Sequence, residues 1–267
     1  MSIASTPDVI SSDSAATRKR TSMLGRAARI LDSFEPPEWV LSLAELTRKS
    51  GLPKPTAHRI AVELSELGLL ERSGTGYRLG IRLVEIAQRS WWQCGFRESA
   101  LPFLEYLREA TGNTVNLGVL DRTDVVYLAK LPGSGNDVPI SRTGARLPAH
   151  CTGLGKVMLA HCGPEVLRAV VEQGLRRHGP RTIVLPQRFV REMASIRQRG
   201  VAFDIEESAA GVLCAAAVIW RGRTRVLGSL SISGCSTAGE LDRARPVLES
   251  VARELSRRLT ADPSQAA

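Results

Sequence analysis

The sequence predicts an α+β protein: an N-terminal winged helix-turn-helix domain, a linker helix, and a larger C-terminal domain with an antiparallel sheet and helices on its faces. Three observations carry this. Residues 41–79 hold, in order, a capped helix, a tight turn, a second helix and a short hairpin. From about Phe96 the pattern changes to β-rich runs mixed with helical stripes. The 267 residues suffice for a small and a medium domain, each with its own core. The expected boundaries are 1–21 for a mobile tail, 22–80 for the winged helix, 81–95 for the linker helix, 96–260 for the larger domain and 261–267 for a tail.

The first segment is rich in Ser, Ala and Thr and lacks apolar periodicity. Its Arg18-Lys19-Arg20 run reads equally as a phosphate contact or as a solvated charge run. Leu24, Ala27, Ala28, Leu31 and Phe34 then mark an amphipathic supporting helix, with Glu35-Pro36-Pro37 ending it. Ser42, three residues before Glu45, marks the start of the next helix, whose Leu43 and Leu46 face inward. Ser50-Gly51 stops it, and Pro53 and Pro55 suit the entrance of another. At about 100° per residue, Ala57, Ile60, Ala61, Leu64 and Leu67 form its packing stripe, leaving the other side free to read a groove. A second helix of this kind enters the major groove N-terminus first, which places Lys54, Thr56, His58 and Arg59 against bases and phosphates. The strands around Ser73-Gly74-Thr75-Gly76 form the wing, from which Arg72 and Arg78 flank the duplex. An ordinary helical hairpin with a solvated charged face is the competing reading.

Leu83, Ile86 and Ala87 predict the linker helix running into Trp91-Trp92, read as packing or dimer contacts. Beyond it, Leu101, Leu104 and Leu107 form a helical stripe ended by Gly112. Val115–Val119 and Val125–Leu128, then Val212–Ile219 and Arg225–Ser233, read as strands. A last helix starts at Thr237, with Glu240 as capping partner and a kink or restart at Pro246.

Two features of the larger domain carry chemistry. Thr152-Gly153-Leu154-Gly155 opens an apolar helix whose bare amides could hold a carboxylate, with close packing as the competing explanation of the glycines. Leu227, Ser229, Ser231 and Ser233 share one strand face, with Val226, Gly228, Leu230 and Ile232 on the other. A solvated sheet face would look the same. The small residues of Cys214-Ala215-Ala216-Ala217 leave room beside these hydroxyls, and Asp204, Glu206 and Glu207 form an acidic cluster able to accept from a hydroxylated ligand. A solvated loop is the plain explanation of that cluster.

Composition sets wider limits. A formal net charge of +9 suits a polyanionic partner, yet residues 18–90 carry +5 and residues 91–267 carry +6, so charge does not locate its site. No apolar run reaches the roughly 20 residues that span a bilayer, and no secretory pattern opens the chain, so a cytoplasmic protein is expected, with no membrane partner. Five cysteines without a C-x-x-C pair agree with a reducing compartment. No cofactor and no metal site are expected. The pairs His150-Cys151 and His161-Cys162, eleven residues apart, would stand about 16 Å from one another along a helix, too far to share one ion. Cys214 reads as a buried thiol or pocket wall rather than a nucleophile, and no phosphate loop or serine elbow occurs. Catalysis is therefore not expected; a cysteine-based redox-sensing regulator and a Cys/His enzyme are the alternatives.

The chain resembles the IclR family of bacterial transcriptional regulators. The resemblance rests on Gly51-Leu52-Pro53-Lys54 with Thr56-Ala57-His58-Arg59, on Tyr77-Arg78-Leu79-Gly80, and on Leu147-Pro148-Ala149-His150 through Lys156. Asp204 with Glu206-Glu207, Gly211, Cys214 and Ser229–Gly234 complete it, in family order over most of residues 23–260. It implies a GAF-like effector-binding C-terminal domain, a homodimer that can pair into a tetramer, and a near-palindromic double-stranded DNA operator. The implied effector, a small organic acid with aromatic acids included, would meet Gly153, Leu154, Asp204, Cys214, Ser231 and Ser233. Pro55 stands where the family usually carries a small hydroxyl residue, and Leu154 is bulkier than the usual alanine.

Overall fold

A computed structural model of the chain describes residues 22–90, 92–134 and 140–261. The expected tail at 1–21 with its Arg18-Lys19-Arg20 run, Trp91, the side chain of Trp92, and residues 262–267 lie outside what is described. The chain divides into two compact units, residues 1–89 and 90–267.

In the first unit, Ser22 caps α1 (Met23–Leu31) by accepting from the Gly25 amide at 3.0 Å. Ile30 sets the inward face, with Ala27, Leu31 and Phe34 beside it. Leu24 is 82% exposed and Ala28 also faces solvent, so the stripe read from the sequence is rotated. The helix stops at Leu31, and Phe34 reaches the core from beyond its end. The capping box of Ser42 and Glu45 opens α2 (Leu43–Ser50), and Gly51 ends it at φ 64°, a left-handed turn that glycine adopts without strain. Next comes α3 (Lys54–Glu66), with Pro55 in its first turn and Ala57, Ile60, Ala61 and Leu64 buried. Leu67 falls beyond the helix and is exposed. Strands β1 (Leu70–Ser73) and β2 (Gly76–Leu79) pair antiparallel, and Leu41 bridges to Tyr77 as a third edge of the wing.

The expected helix over 81–95 is shorter: α4 spans Arg82–Ala87 and turns follow it. It buries no side chain and has no side-chain cap, so little sustains it beyond two turns. The chain resumes helical form in a π-turn, Trp92–Arg97, which runs into α5 (Glu98–Thr111).

The second unit is a six-stranded antiparallel sheet in the order β5-β4-β3-β8-β7-β6. The strands are β3 (Thr114–Asp121), β4 (Asp124–Leu131), β5 (Arg146–Pro148), β6 (Val201–Ile205), β7 (Leu213–Arg221) and β8 (Arg225–Ser233). Between β5 and β6 run a short 3-10 turn (Ala149–Cys151), α6 (Gly153–Leu159), α7 (Pro164–Gln173) and α8 (Pro186–Arg199). One sheet face packs on α5 and on α9 (Ala238–Ala261) through Leu104, Leu107, Leu230, Ile232, Leu248 and Leu255. The other packs on α6 to α8 through Val157, Met158, Val170, Phe189, Met193 and Ala216.

Three expectations change here. Of the kink or restart expected at Pro246, the restart does not occur: α9 continues as one helix through the proline, held on the sheet by Leu241 and Ala244 on one side of it and Leu248 and Val251 on the other. Leu227 is an extra residue in β8, because Ile219 pairs with Gly228 while Trp220 pairs with Val226. This bulge reverses the alternation, so Leu227 joins the α5/α9 core and Val226 moves to the serine side. Asp204, read as part of a loop, lies within β6 and is buried. Among the described residues no helix is long and apolar enough to cross a membrane.

Candidate functional site

In the first unit, α3 presents Lys54, His58 and Arg59 to solvent, with Thr56 half-buried at the edge of the same surface. Arg59 pairs with Glu63 one turn on, at 3.1 Å, both side chains being about half exposed. Such a pair is worth about 0–1 kcal/mol, so a phosphate or guanine can displace the carboxylate at little cost. The wing separates its two cations. Arg72 lies opposite Tyr77 and Arg78 opposite Glu71, and directly opposed residues share a face of a hairpin, so the two arginines occupy opposite faces. The Arg72 guanidinium sits 4.3 Å over the ring of buried Tyr77. Arg78 donates to Glu71 at 3.0 and 2.8 Å, and Glu71 also accepts from the Ile81 amide at 3.0 Å. Those donors hold the Glu71 carboxyl below its ordinary pKa, the Ile81 amide most strongly. The two arginines expected to flank the duplex from the wing therefore stand on its two opposite faces.

In the second unit, strand register assembles the other expected residues. Thr114, Ser233, Cys214 and Asp204 form one row across β3, β8, β7 and β6; Asn116, Ser231, Ala216 and Ala202 form the next. Ser229, Ser231 and Ser233 are buried, so this hydroxyl face is not a solvated one. A cavity of about 20 Å³ lies against these rows, lined among others by Gly153, Asp204, Cys214, Ser231 and Ser233. Leu154, the sixth expected residue, lies outside the lining. One position along α6 turns its side chain toward β3, where it would stand 3.1 Å from a Cβ on Gly118, while its carbonyl accepts from Ser229 at 3.1 Å. The bulk of Leu154 therefore fills core rather than cavity.

Asn116 and Tyr127 also line the cavity and were not singled out in the sequence. Each is the one hydrogen-bonding side chain inside an otherwise apolar stretch (Val115–Val119, Val125–Leu128), which is the signal they offered. Asn116 Nδ2 donates to Ser231 at 3.3 Å and to Ser233 at 3.1 Å, while its Oδ1 is buried without a hydrogen-bond partner. Asp204 accepts from the Glu207 and Ser208 amides at 2.8 and 3.2 Å and from the Ser208 hydroxyl at 2.5 Å. Burial raises its pKa, and the Ser208 hydroxyl opposes the rise.

The acidic cluster is divided by role. Glu206 accepts from the Gly211 amide at 3.0 Å, and Glu207 is bound to Lys156, which is fully buried on α6. Packing accounts for the glycines of α6: a Cβ on Gly153 would lie 3.0 Å from Cys214 Sγ, and one on Gly155 would lie 2.2 Å from the Ala149 carbonyl oxygen. Thr152 caps the helix by accepting from the Gly155 amide at 3.1 Å. Burial opposes thiolate formation at Cys151, Cys162, Cys214 and Cys235. Burial pushes Cys151 up to about 12 and Cys235 up to about 11, and drives Cys214 higher still. His150-Cys151 and His161-Cys162 fall on either side of α6.

Comparison with known proteins covers nearly the whole chain. The model of the bacterial transcriptional regulator IclR C-terminal domain matches residues 91–258, and that of the IclR helix-turn-helix domain matches residues 23–74. The HTH-type transcriptional regulator XynR of Escherichia coli (strain K12) is 33% identical over 240 residues, which is 88% of this chain and 95% of that one. The glycerol operon regulatory protein of Streptomyces coelicolor is 30% identical over 245 residues, 90% and 95% of the two chains. Among solved structures, an IclR homolog from Microbacterium hydrocarbonoxydans complexed with 4-hydroxybenzoate superposes with a TM-score of 0.83 at 30% identity, covering 90% of this chain and 100% of that one.

Proposed function

Since this chain belongs to the IclR family and is a DNA-binding transcriptional regulator, we propose that it senses a small hydroxylated organic acid, an aromatic one above all. One observation carries this reading: the buried amide and hydroxyls of Asn116, Ser231 and Ser233 stand in adjoining rows with the buried carboxyl of Asp204. The unpaired Asn116 Oδ1 is an acceptor and calls for a donor such as a ligand hydroxyl, beside an Asp204 carboxyl already held by the Glu207 and Ser208 donors. The Ser231 and Ser233 hydroxyls, which accept from the Asn116 amide, can turn their own hydrogens to a ligand carboxylate. The 4-hydroxybenzoate of the Microbacterium structure is a molecule with both groups. At about 20 Å³ the cavity holds one water, so an entering acid must push its walls apart, and that displacement is the signal.

The protein acts in the cytoplasm as a homodimer, able to pair into a tetramer, and binds a near-palindromic operator through two copies of α3 using Lys54, Thr56, His58 and Arg59. It performs no catalysis. Ile81, Val84 and Ile86, exposed on and beside α4, are apolar surface of the kind a second copy would cover. A thermal-shift screen of hydroxylated and plain organic acids identifies the effector, because a ligand of the folded state raises the melting temperature by mass action. With that acid, the double substitution Ser231→Ala, Ser233→Ala lowers affinity by about 1–3 kcal/mol in calorimetric titration and leaves operator binding without effector unchanged. Wild-type affinity in the folded double variant would refute this placement.

A further inference from the structure

His150, Cys151 and His178 gather on one flank of the second unit, outside the lining of the effector cavity. The first two close the turn that leads into α6, and His178 lies between α7 and α8. One ligating atom from each lies within 4.8 Å of the other two. His150 and Cys151 are buried, whereas His178 is exposed. The two imidazoles meet edge to face with their centroids 5.7 Å apart.

The tautomer of His150 is set by its surroundings. Its Nε2 lies 2.9 Å from the Arg176 carbonyl oxygen, and a carbonyl only accepts, so Nε2 carries the proton and Nδ1 keeps its lone pair. Metal-binding imidazoles are oriented in this way, with the second ring nitrogen donating to a backbone carbonyl. A cavity of about 220 Å³ adjoins the cluster, with His150, His178, Gln173 and Asp124 in its walls. It offers an entry path, room for water and a carboxylate.

We propose that His150, Cys151 and His178 bind a divalent metal ion of the zinc class. One thiolate and two imidazoles suit zinc or a similar borderline-soft ion, and do not suit magnesium or calcium, which take oxygen ligands. Ligands about 2.0–2.3 Å from such an ion stand closer together than 4.8 Å, so the cluster must tighten by roughly 1 Å; the exposed His178 ring is free to make that movement. The Cys151 thiol now donates weakly to the Pro148 carbonyl at 3.5 Å, and gives up its proton to solvent when the sulfur–metal bond forms. Three protein ligands leave a fourth position for water. The ion clamps the segment around His178 to the turn that carries Thr152 and Gly153, two residues of the effector-cavity wall. That segment is already tied to the acidic loop, because the Gly179 and Arg181 amides donate to the Glu207 and Glu206 carbonyls at 2.9 and 3.1 Å.

Titration of the full-length protein with cobalt(II), followed by absorption, tests the site. The expected result is one cobalt per chain with a thiolate-to-metal charge-transfer band, displaced by zinc. His178→Ala, at an exposed position that leaves the fold intact, lowers cobalt affinity at least about tenfold, and Cys151→Ser abolishes the charge-transfer band. Absence of that band in the wild type overturns the proposal. So does unchanged affinity in His178→Ala, or a band that survives Cys151→Ser and disappears in Cys162→Ser.

Discussion

Arg59 lies on the exposed side of α3, opposite the buried Ile60 and Ala61 row, and holds only weak contacts there, an exposed pair with Glu63 at 3.1 Å and a long one to Met23 Sδ at 4.0 Å. Arg59→Ala is expected to weaken operator binding by about 1–3 kcal/mol and to relax preference at one base pair, as loss of a bidentate guanine contact does. Gel-shift titration at fixed salt on the operator and on single-base variants checks this; unchanged affinity and preference would remove Arg59 from the reading surface. Glu207 works on stability. Burial lifts its carboxyl from the ordinary 4.5 to about 7 in the folded chain, outweighing the pull of Lys156. A carboxyl with a raised folded pKa keeps its proton in the folded state after the unfolded state has released its own. Its contribution to stability is therefore complete below about pH 4.5 and is lost as the pH rises through 7. The melting temperature of the wild type should accordingly fall relative to that of Glu207→Gln over this window. Parallel curves would mean that Lys156 keeps the carboxylate ionised throughout.

At the scale of elements, α6 depends on how closely its first turn meets the 3-10 turn before it. A Cβ on Gly155 would stand 2.2 Å from the Ala149 carbonyl oxygen, a backbone atom that cannot rotate away. Gly155→Ala should cost about 1–3 kcal/mol or more, as overpacking does. At Gly239, in the first turn of α9, the nearest atom to a Cβ is 3.9 Å away, and Gly239→Ala should be neutral or stabilising by up to about 1 kcal/mol. Denaturant midpoints of the two variants compare them directly; equal midpoints would show that the α6 entrance yields without strain. The same contrast explains what could be read from the sequence. Ser42 with Glu45, Gly51, Pro55 and the turn at 73–76 are local signals, and each acts within a few residues of itself in the structure. Thr237 and Glu240 likewise cap α9, the Glu240 amide donating to the Thr237 hydroxyl at 3.3 Å. The rest is set by partners distant in sequence. The Leu227 bulge answers the pairing with β7, Asp204 becomes a buried strand residue only because β6 pairs with β7, and Asn116 meets Ser231 across 115 positions. Five of the six residues that the family resemblance implied line one cavity, of which strand alternation by itself reached only Ser231 and Ser233; Leu154 lies outside, because the rotation of α6 against β3 is not written in the local sequence.

The whole molecule must convert a change in one unit into a change in DNA binding, and the two units are separate compact bodies. The exposed side of α3 carries few cations, so a single head reading a groove with that helix is expected to bind weakly and with modest preference. In a dimer the second head binds intramolecularly, at an effective concentration set by the connection between heads, which gains about 10²–10⁴ in affinity without any new contact. An effector that alters only the spacing or freedom of the heads therefore acts on this gain and leaves the intrinsic affinity of each head untouched. Operator DNA with both half-sites should bind the full-length protein about 10²–10⁴ more tightly than DNA with one half-site scrambled. The effector found by the thermal screen should change that ratio while half-site affinity stays constant. Fluorescence anisotropy with both DNAs, with and without effector, measures the two quantities together. If the effector shifts affinity for both DNAs by the same factor, it acts within each reading head and not on the geometry between them.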